Sequence, residues 1–191
     1  MHSSASRPAD ALPAAPEAPD DAASHSPWLL RPAIPADVPV LASLYATCAR
    51  TVGPACCTPE QVAAWASFGA DPAGFADYVL KADTWVAVAL PGLGSSLSGD
   101  PAGTAALGFS GIDDSGEVKS LYVHPDLMRR GLAGRLLADG LERAQARGLQ
   151  RFAAWATPFS LPVFKRAGFV LVERVRAEFA GAMFERIRVA R

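Results

Sequence analysis

The spacing of apolar residues changes several times along the chain, and each change marks an element. Trp28 to Ile34 reads as a first strand. Asp37 then stands where a helix N-cap belongs, and Val40, Leu41, Leu44 and Tyr45 follow at helical spacing on one apolar face. Thr58-Pro59-Glu60-Gln61 is a second helix start, with a hydroxyl cap, proline at the first helical position and an amide three residues after the cap. Trp65 and Phe68 fall on one side of that helix. Asp71-Pro72 repeats the cap-and-proline signal and predicts a short helix to about Leu80.

Beyond Leu80 the period shortens. Thr84 to Leu90 and Ala105 to Ile112 read as strands, separated by a Gly- and Ser-dense loop from Pro91 to Gly103. Asp113-Asp114-Ser115-Gly116 is a strong turn, so Glu117 to Val123 should return antiparallel. From about Gly131 to Arg147 the helical period resumes, with Leu132, Leu136, Leu137, Leu141 and Ala144 on one face and Arg135, Asp139, Glu142 and Arg143 on the other. Gly148 sits at the C-terminal cap. Arg151 to Ala156 predicts a strand, Pro158 to Ala167 a short helix, and Phe169 to Glu178 with Met183 to Val189 a closing hairpin. This order describes an α/β domain with a mixed sheet.

Composition narrows the class. The chain has 191 residues, enough for one domain with a sizeable core, and 50% of them are hydrophobic. A formal net charge of -1 offers no bulk attraction to nucleic acid or to an anionic membrane. No segment has the roughly 18 apolar residues of a membrane span. Residues 1–27 are rich in Ala, Pro, Ser and Asp, lack a secretory pattern, and carry too few large apolar groups to repay ordering; they read as a disordered tail ahead of a domain at 28–191. Cys48, Cys56 and Cys57 form neither a disulfide framework nor a zinc pattern, so no metal is expected and the thiols read as those of a cytoplasmic protein.

The most informative stretch runs from Leu121 to Gly134: Leu-Tyr-Val-His-Pro-Asp-Leu-Met-Arg-Arg-Gly-Leu-Ala-Gly. A strand ends, a turn follows, and an amphipathic helix begins. The first N–H groups of a helix lack internal partners and lie at its positive end, which makes a ready anion site. Gly131, Ala133 and Gly134 keep bulk away. Arg129, Arg130 and Arg135 gather where cations are mildly unfavourable, so an anionic ligand explains them better than a solvated surface does. Neither a Walker loop nor a GxGxxG fingerprint is present.

This segment resembles motif A of the GNAT (GCN5-related) N-acetyltransferase superfamily, whose pattern is Gln/Arg-x-x-Gly-x-Gly/Ala. Here it reads Met128-Arg129-Arg130-Gly131-Leu132-Ala133, with Met128 replacing the usual Gln or Arg. Ala156 to Phe169 resembles motif B, with Thr157 where Asn is usual and Phe164 where a tyrosine often serves as general acid. Thr58-Pro59-Glu60-Gln61 with Trp65 is similar to a poorly characterised bacterial subgroup.

The resemblance implies a GNAT-type mixed, largely antiparallel central sheet flanked by helices in a single domain. It also implies acetyl-CoA as co-substrate, held by Leu121, Tyr122, Val123, Met128, Arg129, Arg130, Gly131, Leu132, Ala133 and Gly134, with Thr157, Ser160 and Phe164 lining the same site. Its pyrophosphate would rest on main-chain amides and its pantetheine arm along the strand. The acetyl group would pass by direct attack to an amine of a small molecule or peptide. The acceptor would lie against the region Val38 to Leu80, which carries Tyr45, Cys56, Trp65, Phe68, Phe75 and Tyr78; the blander reading of its aromatics is core packing. Glu117 and Tyr122 are the candidate catalytic residues, with His124 and Tyr45 as alternatives. A homodimer is one assembly the reading allows. Two other readings share the fold: an acyl-CoA-binding regulatory module without turnover, and an interaction protein without CoA.

Overall fold

The computed structural model describes residues 28–90 and 106–191. The expected tail to Pro27 and the Gly/Ser loop from Pro91 to Gly103 lie outside the described residues. The elements run β1 (Trp28–Pro32), α1 (Val38–Val52), α2 (Pro59–Ser67), α3 (Pro72–Leu80), β2 (Asp83–Ala89), β3 (Ala106–Ile112), β4 (Glu117–Val123), α4 (Leu132–Ala146), β5 (Ala153–Ala156), α5 (Leu161–Arg166), β6 (Val170–Phe179) and β7 (Ala182–Ala190). One seven-stranded sheet has the order β1-β2-β3-β4-β5-β7-β6. Every neighbouring pair is antiparallel except β4 and β5. The expected mixed, largely antiparallel sheet is therefore present. No helix among the described residues is long and apolar enough to cross a membrane.

Local chemistry accounts for most boundaries. The Thr58 hydroxyl accepts from the Gln61 N–H at 3.3 Å while the Gln61 side chain accepts from the Thr58 N–H at 2.8 Å, closing the capping box of α2. Asp71 caps α3 by accepting the Gly74 N–H at 3.1 Å. Both α4 and α5 end in a Schellman turn. Gly148 (φ +92°) donates to Gln145 and Leu149 to Ala144; Gly168 (φ +85°) donates to Lys165 and Phe169 to Phe164. In the second of these, Phe164 and Phe169 meet edge-on with centroids 5.2 Å apart, the apolar contact that accompanies such a cap.

Two expectations are corrected. Asp37 does not cap α1 with its side chain. Its carboxylate turns back to the Ile34 N–H at 2.8 Å and to both Arg31 nitrogens at 2.7 Å, because β1 places that guanidinium beside it. Val40 is 37% exposed; the buried stripe of α1 is Leu41, Leu44, Tyr45, Cys48 and Ala49, and Val40 lies off its edge.

The sheet separates two apolar layers. On one face, Leu137, Leu141 and Ala144 of α4 pack with Phe164, Phe169, Ala154, Ile187 and Val189. On the other, Leu41, Leu44 and Tyr45 of α1 and Phe75 and Val79 of α3 pack on Val86 and Phe109. The tip of the β6–β7 hairpin is tied to α2 through Gln61 Nε2, which donates to the Met183 carbonyl at 2.5 Å.

Candidate active site

The site begins where β4 leaves its neighbour. Parallel pairing of β4 with β5 is confined to Glu117–Ala153 and Val118–Ala154. On its other side, β4 pairs with β3 through a bulge: Gly111 faces Ser120 and Ile112 faces Val118, so Lys119 is the extra residue. The Tyr78 hydroxyl of α3 donates to the Lys119 carbonyl and pins the bulge. From Lys119 to Val123 the β5-facing edge of β4 has no strand partner among the described residues. Such an edge offers main-chain donors and acceptors to an extended ligand.

Past the strand, His124 donates its N–H to the Leu107 carbonyl at 2.8 Å, and its Nδ1 lies 3.4 Å from the Asp126 N–H. The 3-10 turn Pro125–Leu127 is anchored by Leu127, which is buried. Arg129 (φ +62°) and Gly131 (φ +84°) both take the left-handed conformation that swings the chain into α4. Leu132 is buried against Leu127 and Leu136 and fixes the helix start on the sheet. No side chain caps this end, so the Gly131 to Gly134 amides point outward without internal partners. A Cβ built on Gly131 or Gly134 would meet nothing within 4 Å. Arg135 lies 3.8 Å from Asp139, whereas Arg129 and Arg130 form no ion pair among the described residues.

Thr157 and Ser160 follow β5. The Thr157 N–H donates to the Ser160 hydroxyl at 2.9 Å and the Ser160 N–H to the Thr157 hydroxyl at 3.2 Å. This exchange delays the expected helix to Leu161. Counting forward in parallel register from Val118–Ala154, Leu121 and Thr157 reach the same height on opposite sides of the gap. The fold thus brings Leu121, Tyr122, Val123, Gly131 to Gly134, Thr157 and Ser160 around one opening. Phe164 lies beneath it at 3% exposure, packed on Phe169.

On the α1–α3 side, Tyr122 stacks on Phe109 at 5.3 Å and meets Tyr45 at 4.8 Å. Tyr45 also contacts Phe75 at 5.5 Å and Phe68 at 5.7 Å. Burial, then the neighbouring Tyr78, pushes the Tyr122 phenol well above its ordinary range. Burial likewise raises Tyr45 and Tyr78. The buried Cys48 thiol donates to the Val123 carbonyl at 3.3 Å, and burial pushes it up to about 12. Cys56 and Cys57 are free thiols in the turn before α2.

Glu117 faces a group that sequence reasoning missed. Arg188 Nη1 of β7 lies 2.7 Å from each carboxylate oxygen of Glu117. The guanidinium carbons of Arg188 and Arg186 lie 5.0 and 4.6 Å from the Trp155 ring centroid. The alternation Arg186-Ile187-Arg188 shows that both arginines share one strand face, but not what they meet.

Comparisons with known proteins bear on the fold. No curated protein matches the chain. Among solved structures, a GCN5-related N-acetyltransferase from Rhodopseudomonas palustris is 25% identical, with a TM-score of 0.75 over 86% of this chain and 95% of that one. The PaiA N-acetyltransferase of Thermoplasma acidophilum, solved with coenzyme A, is 11% identical, with a TM-score of 0.65 over 85% and 97%. A phosphinothricin acetyltransferase of Sinorhizobium meliloti, solved with acetyl-CoA, is 20% identical, with a TM-score of 0.58 over 87% and 88%. The latter two likenesses concern the fold alone. Residues 99–189 match the family model of the acetyltransferase (GNAT) domain. With motif A at the start of α4 and β4 parting from β5, residues 99–189 of this chain form a GNAT acetyltransferase domain.

Proposed function

We propose that this protein is an acetyl-CoA-dependent N-acetyltransferase that delivers the acetyl group directly to an amine approaching from the α1–α3 side of the sheet. One observation carries the reading: among the described residues, the edge of β4 without a strand partner leads to a helix start with outward amides, open space at Gly131 and Gly134, and two arginines without carboxylate partners. Residues of this kind fit a diphosphate carrying an extended amide arm.

Acetyl-CoA, when bound, supplies the activated thioester. The amides from Arg129 to Gly134 hold the diphosphate, and Arg129 and Arg130 add charge. The main chain of Leu121, Tyr122 and Val123 aligns the arm, and an N–H of this edge donates to the carbonyl oxygen as negative charge develops. Thr157 and Ser160 bound the opening from the β5 side, and Phe164 supports it from below. The new N–C bond forms as the C–S bond breaks, and the thiolate departs. The proton leaving the amine goes to Glu117 through water, because four residues of strand separate Glu117 from Leu121, about 13 Å of backbone. Tyr122 remains a neutral phenol, able to donate a hydrogen bond but not to act as a base.

Acetyl-CoA titration of wild type and Gly131→Glu, followed by thiol release over an amine panel, tests the assignment. Wild type should bind and turn over, and the folded variant should lose binding. Unchanged affinity in Gly131→Glu would overturn the cofactor placement. Binding without thiol release from any amine would leave an acyl-CoA-binding module instead.

A further inference from the structure

The reading above leaves the acceptor unnamed, and the β5–β7 face carries chemistry that narrows it. Trp155 of β5 lies beneath two guanidinium groups, Arg186 at 4.6 Å and Arg188 at 5.0 Å. Arg188 is answered by Glu117 at 2.7 Å. Arg186 has no carboxylate within ion-pairing distance among the described residues, and it is exposed. Glu173 of β6 stands opposite Arg188 in the ladder, and Arg186 is the guanidinium of the two that has no ion-pair partner among the described residues.

The register places that charge. Ala156 pairs with Ile187, so Arg186 comes level with Thr157 one step further on, and Thr157 is level with Leu121 across the gap. Two strand spacings, about 10 Å, separate the backbones of β7 and β4 where β4 still pairs with β5, and the distance widens past Val118. The Arg186 side chain shortens this distance by leaning over Trp155 toward β4. An unanswered guanidinium therefore stands at the height where the amine must attack, within the length of a small molecule.

Resting on the transferase reading, we infer that the acceptor is a small amine bearing a carboxylate, an amino-acid-like molecule, with Arg186 on Trp155 as its anion anchor. A planar guanidinium fork matches a carboxylate in two parallel hydrogen bonds. Stacking on Trp155 limits the rotamers of the arginine, so less freedom is lost on binding. Arg186 also disfavours the ammonium form of the incoming amine, which favours the nucleophilic neutral form.

The test is calorimetric titration of the CoA-loaded protein with matched pairs: the common amino acids and β-alanine, each against its carboxamide, with O-phosphoethanolamine against ethanolamine. At least one carboxylate member should bind about tenfold or more tightly than its amide. Arg186→Gln should erase that difference, and Arg186→Lys should restore part of it, while acetyl-CoA affinity and melting temperature stay at wild-type values. No carboxylate preference in any pair overturns the inference, as does a preference that survives Arg186→Gln. Tighter binding of O-phosphoethanolamine than of every carboxylate overturns it in favour of a phosphate. Carboxylate-selective binding without thiol release counts against the transferase reading and leaves the anchor standing.

Discussion

Arg188 holds both carboxylate oxygens of Glu117 at 2.7 Å through a single nitrogen, joining the start of β4 to β7 across the face of β5. The Glu117 carboxyl group is thus oriented and already partnered. To accept a proton it must loosen that pair, and the water between it and the amine must relay the proton.

Glu117→Gln is expected to lower kcat by about 10²-fold or more, within the range of a positioned base. Acetyl-CoA affinity should change little. Steady-state rates from pH 5 to 9 with an accepted amine check this. Near-normal turnover with an unchanged profile would reduce Glu117 to a structural partner of Arg188.

Tyr122→Phe should cost less than about tenfold in kcat, well below the effect of a positioned acid or base. The phenol is pushed far above its ordinary range by burial, so it does not ionise at working pH. Its ring, stacked on Phe109, is what the variant retains. A thousandfold loss would give the hydroxyl a direct part in proton transfer.

Gly134→Ala should raise stability by about 0.5–1 kcal/mol, because alanine orders more readily in the first turn of α4 and its Cβ meets nothing within 4 Å. The same methyl group enters the space proposed for the diphosphate, so acetyl-CoA affinity should fall. Denaturant melts paired with acetyl-CoA titrations read both effects. Higher stability with full affinity would place the diphosphate elsewhere.

Asp37→Asn should cost about 1–2 kcal/mol at pH 7, since it breaks a charge-assisted pair that is only partly shielded. The Arg31 guanidinium holds the Asp37 carboxyl below the ordinary aspartate range. A carboxyl depressed in the folded state stabilises above its unfolded value, about 3.9, and that contribution is lost as pH falls through the folded value. The gap between wild type and variant should therefore be full at pH 7 and shrink by pH 3 in chemical denaturation. A gap of constant size would mean that the charge is not its source.

Signals acting within one helical turn or one strand period were legible in the sequence. Thr58 with Gln61, Asp71, Gly148 and the apolar stripe of α4 stand where local chemistry alone puts them. So does the strand-turn-helix around Gly131, because small residues and the left-handed backbone are local requirements. The tertiary structure decided what depends on distant partners. Asp37 looked like a cap, but a neighbouring strand supplied Arg31, and a bidentate cation outcompetes a neutral N–H. Glu117 meets Arg188 from 71 residues away, a pairing set by the register of β5 with β7. The parting of β4 from β5 after Val118 follows from the Lys119 bulge and from the loop at Thr157. Arg186 became a candidate anchor only because folding laid it over Trp155, 31 residues earlier, with no carboxylate within ion-pairing distance among the described residues. Periodicity assigns a side chain to a face; which charge it meets there depends on strand order and register, and no local pattern encodes them.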